Sequence, residues 1–139
     1  DGTRFLTILR AGGRQLTLFG SGEGQGEQRV LVDGVAIGHW LGEHRVLINR
    51  GVSEGFGNVT VMDLESGEDV PLATNVFLDN LSPLGWVAVV TESSFITFGV
   101  EEGQGLDLRR FDLDGSLDSF EVLATDIGED GIILGAFSE

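Results

Sequence analysis

Short apolar runs rich in Val, Ile, Leu and Phe recur along the chain between clusters of glycine and acidic residues. Many runs alternate apolar with polar positions, which is the period of a strand with one face in a core. No stretch keeps helical apolar spacing over three turns, so we predict essentially no helix. The pattern predicts an all-β chain with strands over residues 4–10, 14–20, 28–32, 35–41, 45–49, 58–64, 70–74, 76–81, 86–91, 95–100, 106–113, 120–125 and 132–137.

Residues that favour tight turns separate these runs. Examples are Gly12-Gly13, Ser66-Gly67 and Asp114-Gly115. Glycine adopts positive φ without steric cost, and Asp and Ser side chains bond to nearby backbone in turns. We therefore expect neighbouring strands to form antiparallel hairpins.

A turn followed by an apolar strand occurs four times, and the last residues of these turns are Gly2, His44, Gly85 and Gly131. Their spacings are 42, 41 and 46 residues. A period of 40 to 50 residues with four strands is typical of propeller blades. We predict that residues 1–139 form a single segment of about three repeats. The predicted repeat boundaries lie near residues 42, 85 and 131.

Two further elements keep the same period. A strand that ends in Asp-Leu occurs at 63–64 and again at 112–113. A strand that ends in Leu-Ala-Thr occurs at 72–74 and again at 123–125. The repeat therefore contains several elements in a fixed order, which favours a repeated structural unit.

This order resembles the TolB-like β-propeller repeat, in which a Trp-Ser-Pro-Asp-Gly turn precedes an apolar strand, a Met-Asp-Leu hairpin and a strand ending in Leu-Thr. Trp40 matches the tryptophan, 82–85 matches three of the four turn positions, and 62–68 matches the hairpin. Leu84 replaces the aspartate, and 41–44 keeps little of the turn. The resemblance covers nearly the whole chain. It implies a β-propeller-like array of antiparallel four-stranded blades, and it favours a periplasmic or extracellular location.

Three repeats do not complete a propeller, because closed rings use about 4 to 8 blades. The missing blades could lie elsewhere in a longer polypeptide. Alternatively, copies of this chain could close a ring by oligomerisation, with two copies supplying six blades. A compact sandwich or barrel that only looks repetitive is the third arrangement. An open array would leave strand edges bare, which natural proteins avoid.

The composition narrows the range of partners that we expect. The 139 residues carry 8 Lys+Arg against 23 Asp+Glu, a net charge of −15. So acidic a chain repels nucleic acid and anionic lipid, and no apolar run approaches the roughly 20 residues that span a bilayer. We therefore expect neither nucleic-acid binding nor membrane insertion. The chain starts at Asp1 without Met and has no Cys, and we expect a soluble piece of a longer protein without disulfides.

Aromatic and histidine residues mark candidate binding positions near blade ends. Trp40 and Trp86 flank the turns at 41–44 and 82–85, where either ring could line a binding surface. His39 and His44 lie on either side of Trp40 and could bind a metal or act as a base. The alternative is one packed imidazole and one exposed turn residue.

A third candidate is a calcium site made by Asp112, Asp114 and Asp118. Alternate aspartates around Gly115 can place carboxylate oxygens around Ca²⁺, and Glu121 falls where a bidentate ligand would follow. The competing interpretation is a β-hairpin in which Asp-Gly forms the turn. Apart from this calcium ion, we predict no cofactor.

No combination of nucleophile, base and oxyanion donors can be assembled from the sequence. The letters Gly-Val-Ser-Glu-Gly at 51–55 match a nucleophile elbow, but residues 56–58 lead into another strand and not a helix. We therefore expect a non-catalytic scaffold that binds a protein partner or the remaining blades of its parent chain. The alternatives are the propeller portion of an enzyme resembling prolyl oligopeptidases, and a calcium-stabilised binding module.

Overall fold

A computed structural model of the chain describes residues 3–9, 14–20, 28–34, 36–53, 55–77, 88–100 and 106–125. As predicted, these residues form strands, turns and bends, with no helix among them. The eleven strands are β1 (Arg4–Leu9), β2 (Gln15–Gly20), β3 (Gln28–Asp33), β4 (Ala36–Trp40), β5 (Arg45–Ser53), β6 (Phe56–Asp63), β7 (Asp69–Phe77), β8 (Ala88–Val90), β9 (Ser94–Val100), β10 (Leu106–Asp112) and β11 (Phe120–Ala124).

The strands pair as three consecutive antiparallel meanders. The first meander, β1–β3, is a separate three-stranded sheet. The second, β4–β7, and the third, β8–β11, belong to one eight-stranded sheet in which β7 pairs with β9. Its path from β11 to β4 curls strongly into a half-barrel of seven strands, and β8 lies beside β9 off that path. Among the described residues, Val76 of β7 pairs with Gly99 of β9.

The first core lies between the first meander and one face of the second. Its packing is close at Gly38, where a Cβ atom would lie 3.1 Å from Leu6 Cδ1 and 3.2 Å from Leu16 Cδ2. Glycine at this position lets β1 and β2 approach β4. The buried side chains of the first core are apolar: Leu16, Leu18, Ala36, Val46, Ile48, Met62 and Leu64.

The second core lies on the other face of the second meander, inside the curl. The rings of Phe95 and Phe111 stack there with centroids 4.9 Å apart. The buried members come from β5, β6, β7, β9, β10 and the residue after β10: Leu47, Val59, Val61, Leu72, Ala73, Val76, Phe95, Phe111 and Leu113. The second meander is thus covered on both faces.

This double burial explains the unbroken apolar run in β5. Val46 and Ile48 belong to the first core and Leu47 to the second, and all three are 0% exposed. A strand with one wet face alternates apolar and polar residues, whereas a strand buried on both faces is apolar throughout. The residues at 46–48 are therefore all apolar because each face of the strand packs against a different core.

The prediction of separate strands at 70–74 and 76–81 was wrong for the described part, since residues 69–77 form the single strand β7. Asn75 has a φ of 54°, and the register with β6 shifts nearby. Asn tolerates this left-handed conformation better than most residues, so the chain makes a bulge where a strand break was expected. The predicted strand at 132–137, the residues from 78 to 81 and the boundaries near 85 and 131 lie outside the described residues.

Asp118 fastens the loop after β10 to the edge of β7. Its carboxylate accepts hydrogen bonds from the Thr74 N–H and the Thr74 hydroxyl, both at 2.7 Å. Its own N–H donates to the Leu72 carbonyl oxygen at 2.9 Å. We call these contacts the Asp118 latch. They occupy backbone groups of β7 that a neighbouring strand would otherwise bind.

Candidate functional site

One end of the molecule gathers the turns of the second and third meanders, and we call it the turn end. The Leu64 N–H donates to the His44 carbonyl oxygen at 2.6 Å, which ties the β6–β7 turn to the β4–β5 turn. In the third meander the Leu113 N–H donates in the same way to the Ser93 carbonyl oxygen at 2.9 Å. Each residue of the second pair lies 49 positions after its counterpart in the first pair. The turn at 91–93 therefore has the role of the turn at 41–44, a correspondence that sequence reasoning missed.

The β6–β7 turn is held by Asp63. Its Oδ1 accepts hydrogen bonds from the Glu65 N–H at 2.9 Å and the Ser66 N–H at 3.0 Å. These bonds favour the ionised carboxylate and lower the pKa of Asp63, with the Ser66 N–H contributing most. The Asp-Leu-Glu-Ser-Gly segment therefore folds as the hairpin turn that the sequence predicted.

Trp40 and His44 lie together in a cleft at the turn end, which we call the aromatic cleft. Its volume is about 530 Å³, and it is lined by Arg4, Trp40, Gly42, Glu43 and His44. The Arg4 guanidinium lies over the Trp40 ring, 5.5 Å from its centroid. Arg4 belongs to the first meander and Trp40 to the second, so the cleft lies at the seam between them. The ring is half-buried and also packs against the first core.

His39 is separated from this cleft, although it is the neighbour of Trp40 in the sequence. Successive residues of a strand point to opposite faces, and His39 lies opposite Leu47 of the second core. Burial lowers the pKa of His39 from its usual value of 6.5. His44 is half-exposed, with Nδ1 3.4 Å from the Glu65 carboxylate. Trp86, the fourth predicted binding residue, lies outside the described residues.

A second cleft lies at the turn end between the second and third meanders, and we call it the carboxylate cleft. Its volume is about 280 Å³. Val61 and Leu113 are buried beneath it, whereas Val70 is 40% exposed. The Arg45 guanidinium stands 3.7 Å from the Asp114 carboxylate, across the seam between the two meanders. The cleft is lined by Arg45, Val61, Asp63, Glu68, Val70, Leu113, Asp114 and Gly115.

The three predicted calcium ligands have separate surroundings. Asp118 is engaged with Thr74, and Asp114 faces Arg45. Asp112 starts the predicted turn, since its carbonyl oxygen accepts from the Gly115 N–H at 3.1 Å. No group of three or more His, Cys, Asp or Glu side chains that could hold a metal ion occurs within the described ranges. The calcium site stays a prediction.

A buried ion pair in β10 was not predicted as part of any site. Arg109 and Asp107 are 7% and 6% exposed, and the Arg109 Nε lies 2.7 Å from the Asp107 Oδ1. The Arg109 guanidinium also covers the Phe120 ring at 4.3 Å from its centroid. The signal in the sequence was a pair of arginines inside an apolar run. The second of these arginines, Arg110, is exposed and bound to Glu121. The pairing allows both charges to be buried in the third meander, because buried charges need partners.

The chain passes from strand to strand at the segment 51–55, as predicted, because β5 ends at Ser53 and β6 begins at Phe56. The predicted inter-strand loop is shorter than expected, since residues 51–53 belong to β5. Gly55 has a φ of 82°, the positive value that tight hairpin turns require.

Comparisons with protein-family models, with curated proteins and with solved structures find no match. In the part of the chain that the structure describes, no helix has the length and apolar character needed to cross a bilayer.

Proposed function

We propose that the chain is a segment of a propeller-type repeat array that acts as a non-catalytic scaffold and binds a protein or peptide at its turn end. One observation carries the proposal: three antiparallel meanders follow one another in the chain and pack through two successive cores. Blades of a propeller are antiparallel sheets that repeat around an axis, and the antiparallel meanders support this arrangement. The TolB-like resemblance of the sequence points the same way.

The repeated turn geometry supports the turn end as the binding surface. The 44–64 and 93–113 hydrogen bonds join the turns within each meander in the same way. The Arg45–Asp114 ion pair shows that the two sets of turns lie close together. Each seam between meanders opens there into a cleft, the aromatic cleft or the carboxylate cleft. Loops and turns held by a rigid β scaffold are frequent binding elements, because they vary without disturbing the core.

Peptide binding followed by NMR tests the proposal. The ¹⁵N-labelled chain is titrated with three unstructured peptide pools, which are acidic, neutral and basic, and each pool is analysed afterwards by mass spectrometry. We expect at least one pool to shift amide signals at 41–44, 63–68 and 91–93, with the peptides recovered intact. Cleaved peptides would contradict a non-catalytic scaffold, and the absence of shifts with all three pools would contradict binding at the turn end.

The packing that carries the proposal is tested in the same sample. Methyl and aromatic NOEs are expected between Leu18 and Ile48 across the first core, and between Leu72 and the ring of Phe111 across the second. A chain that lacks either set would not stack its meanders in sequence order, and the propeller-type arrangement would be rejected.

A further inference from the structure

We propose that the carboxylate cleft binds an arginine side chain of a partner peptide. This inference rests on the proposed scaffold function and names the chemistry that one of its clefts recognises. The cleft combines an apolar floor with three carboxylates at its rim, from Asp63, Glu68 and Asp114. An arginine side chain has matching parts, an alkyl stem and a terminal cation.

The floor fits the alkyl stem. Val61 and Leu113 are each 6% exposed, so they form a closed apolar surface beneath the cleft. Val70 lines the cleft with 40% of its surface exposed. A methylene chain laid against Val70 would remove apolar surface from water on both molecules.

The rim fits the guanidinium. Asp63 is held in place because Glu65 and Ser66 both donate to its Oδ1. These backbone bonds favour the ionised carboxylate and lower the pKa of Asp63. Glu68 lies in the same turn, and its carbonyl oxygen accepts the Asp63 N–H at 2.8 Å. A planar guanidinium presents five N–H donors and can bond to two carboxylates at once.

The third carboxylate, Asp114, is weakly engaged. Its partner Arg45 stands at 3.7 Å, beyond hydrogen-bond distance, and the Asp114 side chain is 94% exposed. Exposed ion pairs of this kind contribute little to stability. An incoming guanidinium can therefore bond to Asp114 without breaking a strong contact.

The lining of the carboxylate cleft has an excess of negative charge. Its three carboxylates outnumber the one guanidinium of Arg45, so an incoming cation is attracted although Arg45 opposes it. The net charge of −15 adds a long-range attraction for a basic partner. Together these features favour a basic peptide over an acidic or neutral one.

Fluorescence anisotropy provides the test. The probe is a fluorescein-labelled peptide of sequence Gly-Ser-Gly-Arg-Gly-Arg-Gly-Ser, and its control has citrulline, which is neutral and nearly isosteric, at both arginine positions. Titrations at 20 and 200 mM NaCl use the unmodified chain, Asp114→Asn, Glu68→Gln and Val70→Ser. A matched control, Asp33→Asn, removes the same charge from the other end of the strands, since β1 and β2 place Arg4 opposite Gly20 and β3 places Asp33 opposite Gln15.

We expect saturable binding of the arginine peptide and none of the citrulline peptide. Asp114→Asn and Glu68→Gln should each weaken binding roughly three- to tenfold, which is the range for hydrogen bonds to charged groups. Val70→Ser should weaken it roughly twofold or more without any change in charge, and Asp33→Asn should leave it within about twofold. The thermal midpoint of each variant, measured by circular dichroism, shows that the variant is folded.

Two results would overturn the inference. Equal weakening by Asp33→Asn and Asp114→Asn would mean diffuse attraction to an acidic surface and no defined cleft. Absence of binding by the unmodified chain would also reject it. If the arginine peptide fails while the neutral or acidic pool still shifts the turn-end amides, the arginine site is wrong and the scaffold function stands; if all pools fail, both are wrong.

Discussion

The two cores on either side of the second meander are built differently. The first core joins two separate sheets, and its buried members are aliphatic side chains and Met62. The second core lies within one continuous curled sheet and includes the stacked rings of Phe95 and Phe111. Among the described residues, the first seam, between the first and second meanders, is held mainly by packing. At the second seam, between the second and third meanders, packing, strand pairing and the Asp118 latch act together. The second meander is thus joined to its two neighbours in two ways.

Hydrogen bonds across the seams show the same contrast. At the first seam, the Arg29 Nη1 donates to the Leu64 carbonyl oxygen at 2.9 Å. At the second, Asp118 makes three such contacts with residues 72–74, and Val76 pairs with Gly99. Polar contacts fix direction and register more strongly than apolar packing does. The polar contacts of the described residues therefore help to fix the third meander against the second.

The largest effects are expected from truncating two adjacent side chains of β5, one from each core. Leu47→Ala and Ile48→Ala should each lower the free energy of unfolding by about 2–5 kcal/mol, measured by urea denaturation. Because the two side chains lie on opposite faces, amide shift changes should spread to β9 and β10 for Leu47 and to β1 and β2 for Ile48. The milder variants Leu47→Val and Ile48→Val keep the fold intact for the NMR comparison. A shared pattern of changes would contradict the assignment of two cores.

Alanine substitutions at two glycines should show which face of the second meander is more tightly packed. A Cβ atom at Gly57 would lie 1.9 Å from the Asn49 Oδ1 and 2.6 Å from the Arg50 carbonyl oxygen, and backbone cannot yield easily. At Gly38 the nearest atoms are the ends of side chains, at 3.1 Å. We expect Gly57→Ala to cost about 3 kcal/mol and Gly38→Ala about 1 kcal/mol of unfolding free energy. Equal losses in urea denaturation would show that the faces are equally tight.

Removing the Asp118 latch should loosen the second seam. Asp118→Gly keeps the backbone conformation, whose φ is 55°, but loses the bonds to Thr74. The expected loss is about 1–2 kcal/mol, because the contacts are exposed to solvent. Asp118→Asn retains an acceptor and should lose less, and Ser116→Ala changes the same loop as a control. Hydrogen exchange at the Thr74 amide should accelerate only in the latch variants; unchanged exchange in Asp118→Gly would refute the latch.

The smallest effect is a pH dependence at His39. The folded chain lowers the pKa of His39 by burial, so the unfolded chain binds the proton more tightly. The His39 contribution to stability is complete above about pH 6.5 and is lost as the pH falls below that value. His39→Gln should remove this slope below about pH 6.5, and His44→Gln should retain it. A slope that persists in His39→Gln would assign the effect to another group.

The strand content could be predicted from the sequence because the alternation of apolar and polar residues sets which face of a strand is buried. The turn after β6 was also predictable, since the Asp63 carboxylate accepts from backbone N–H groups two and three positions ahead. The same alternation also separates His39 from Trp40, because the two residues are successive positions of one strand. Opposite faces outweigh adjacency in a strand.

The features that could not be predicted depend on contacts between residues that are distant in the sequence. Asp118 and Thr74 are 44 positions apart, and nothing local to either residue indicates the other. The carboxylate cleft joins side chains from β5 to the β10–β11 loop, so it exists only after the second and third meanders have packed. The bulge at Asn75 depends on the register with β6. Such features are set by tertiary packing, which local sequence patterns do not encode.

The second core has a mechanical consequence. Phe95 and Phe111 of the third meander belong to the same buried cluster as Leu72 of the second meander. Because a close-packed cluster resists compression, its volume holds the two meanders at a set angle. A larger or smaller side chain in this cluster would change that angle while each strand keeps its partners.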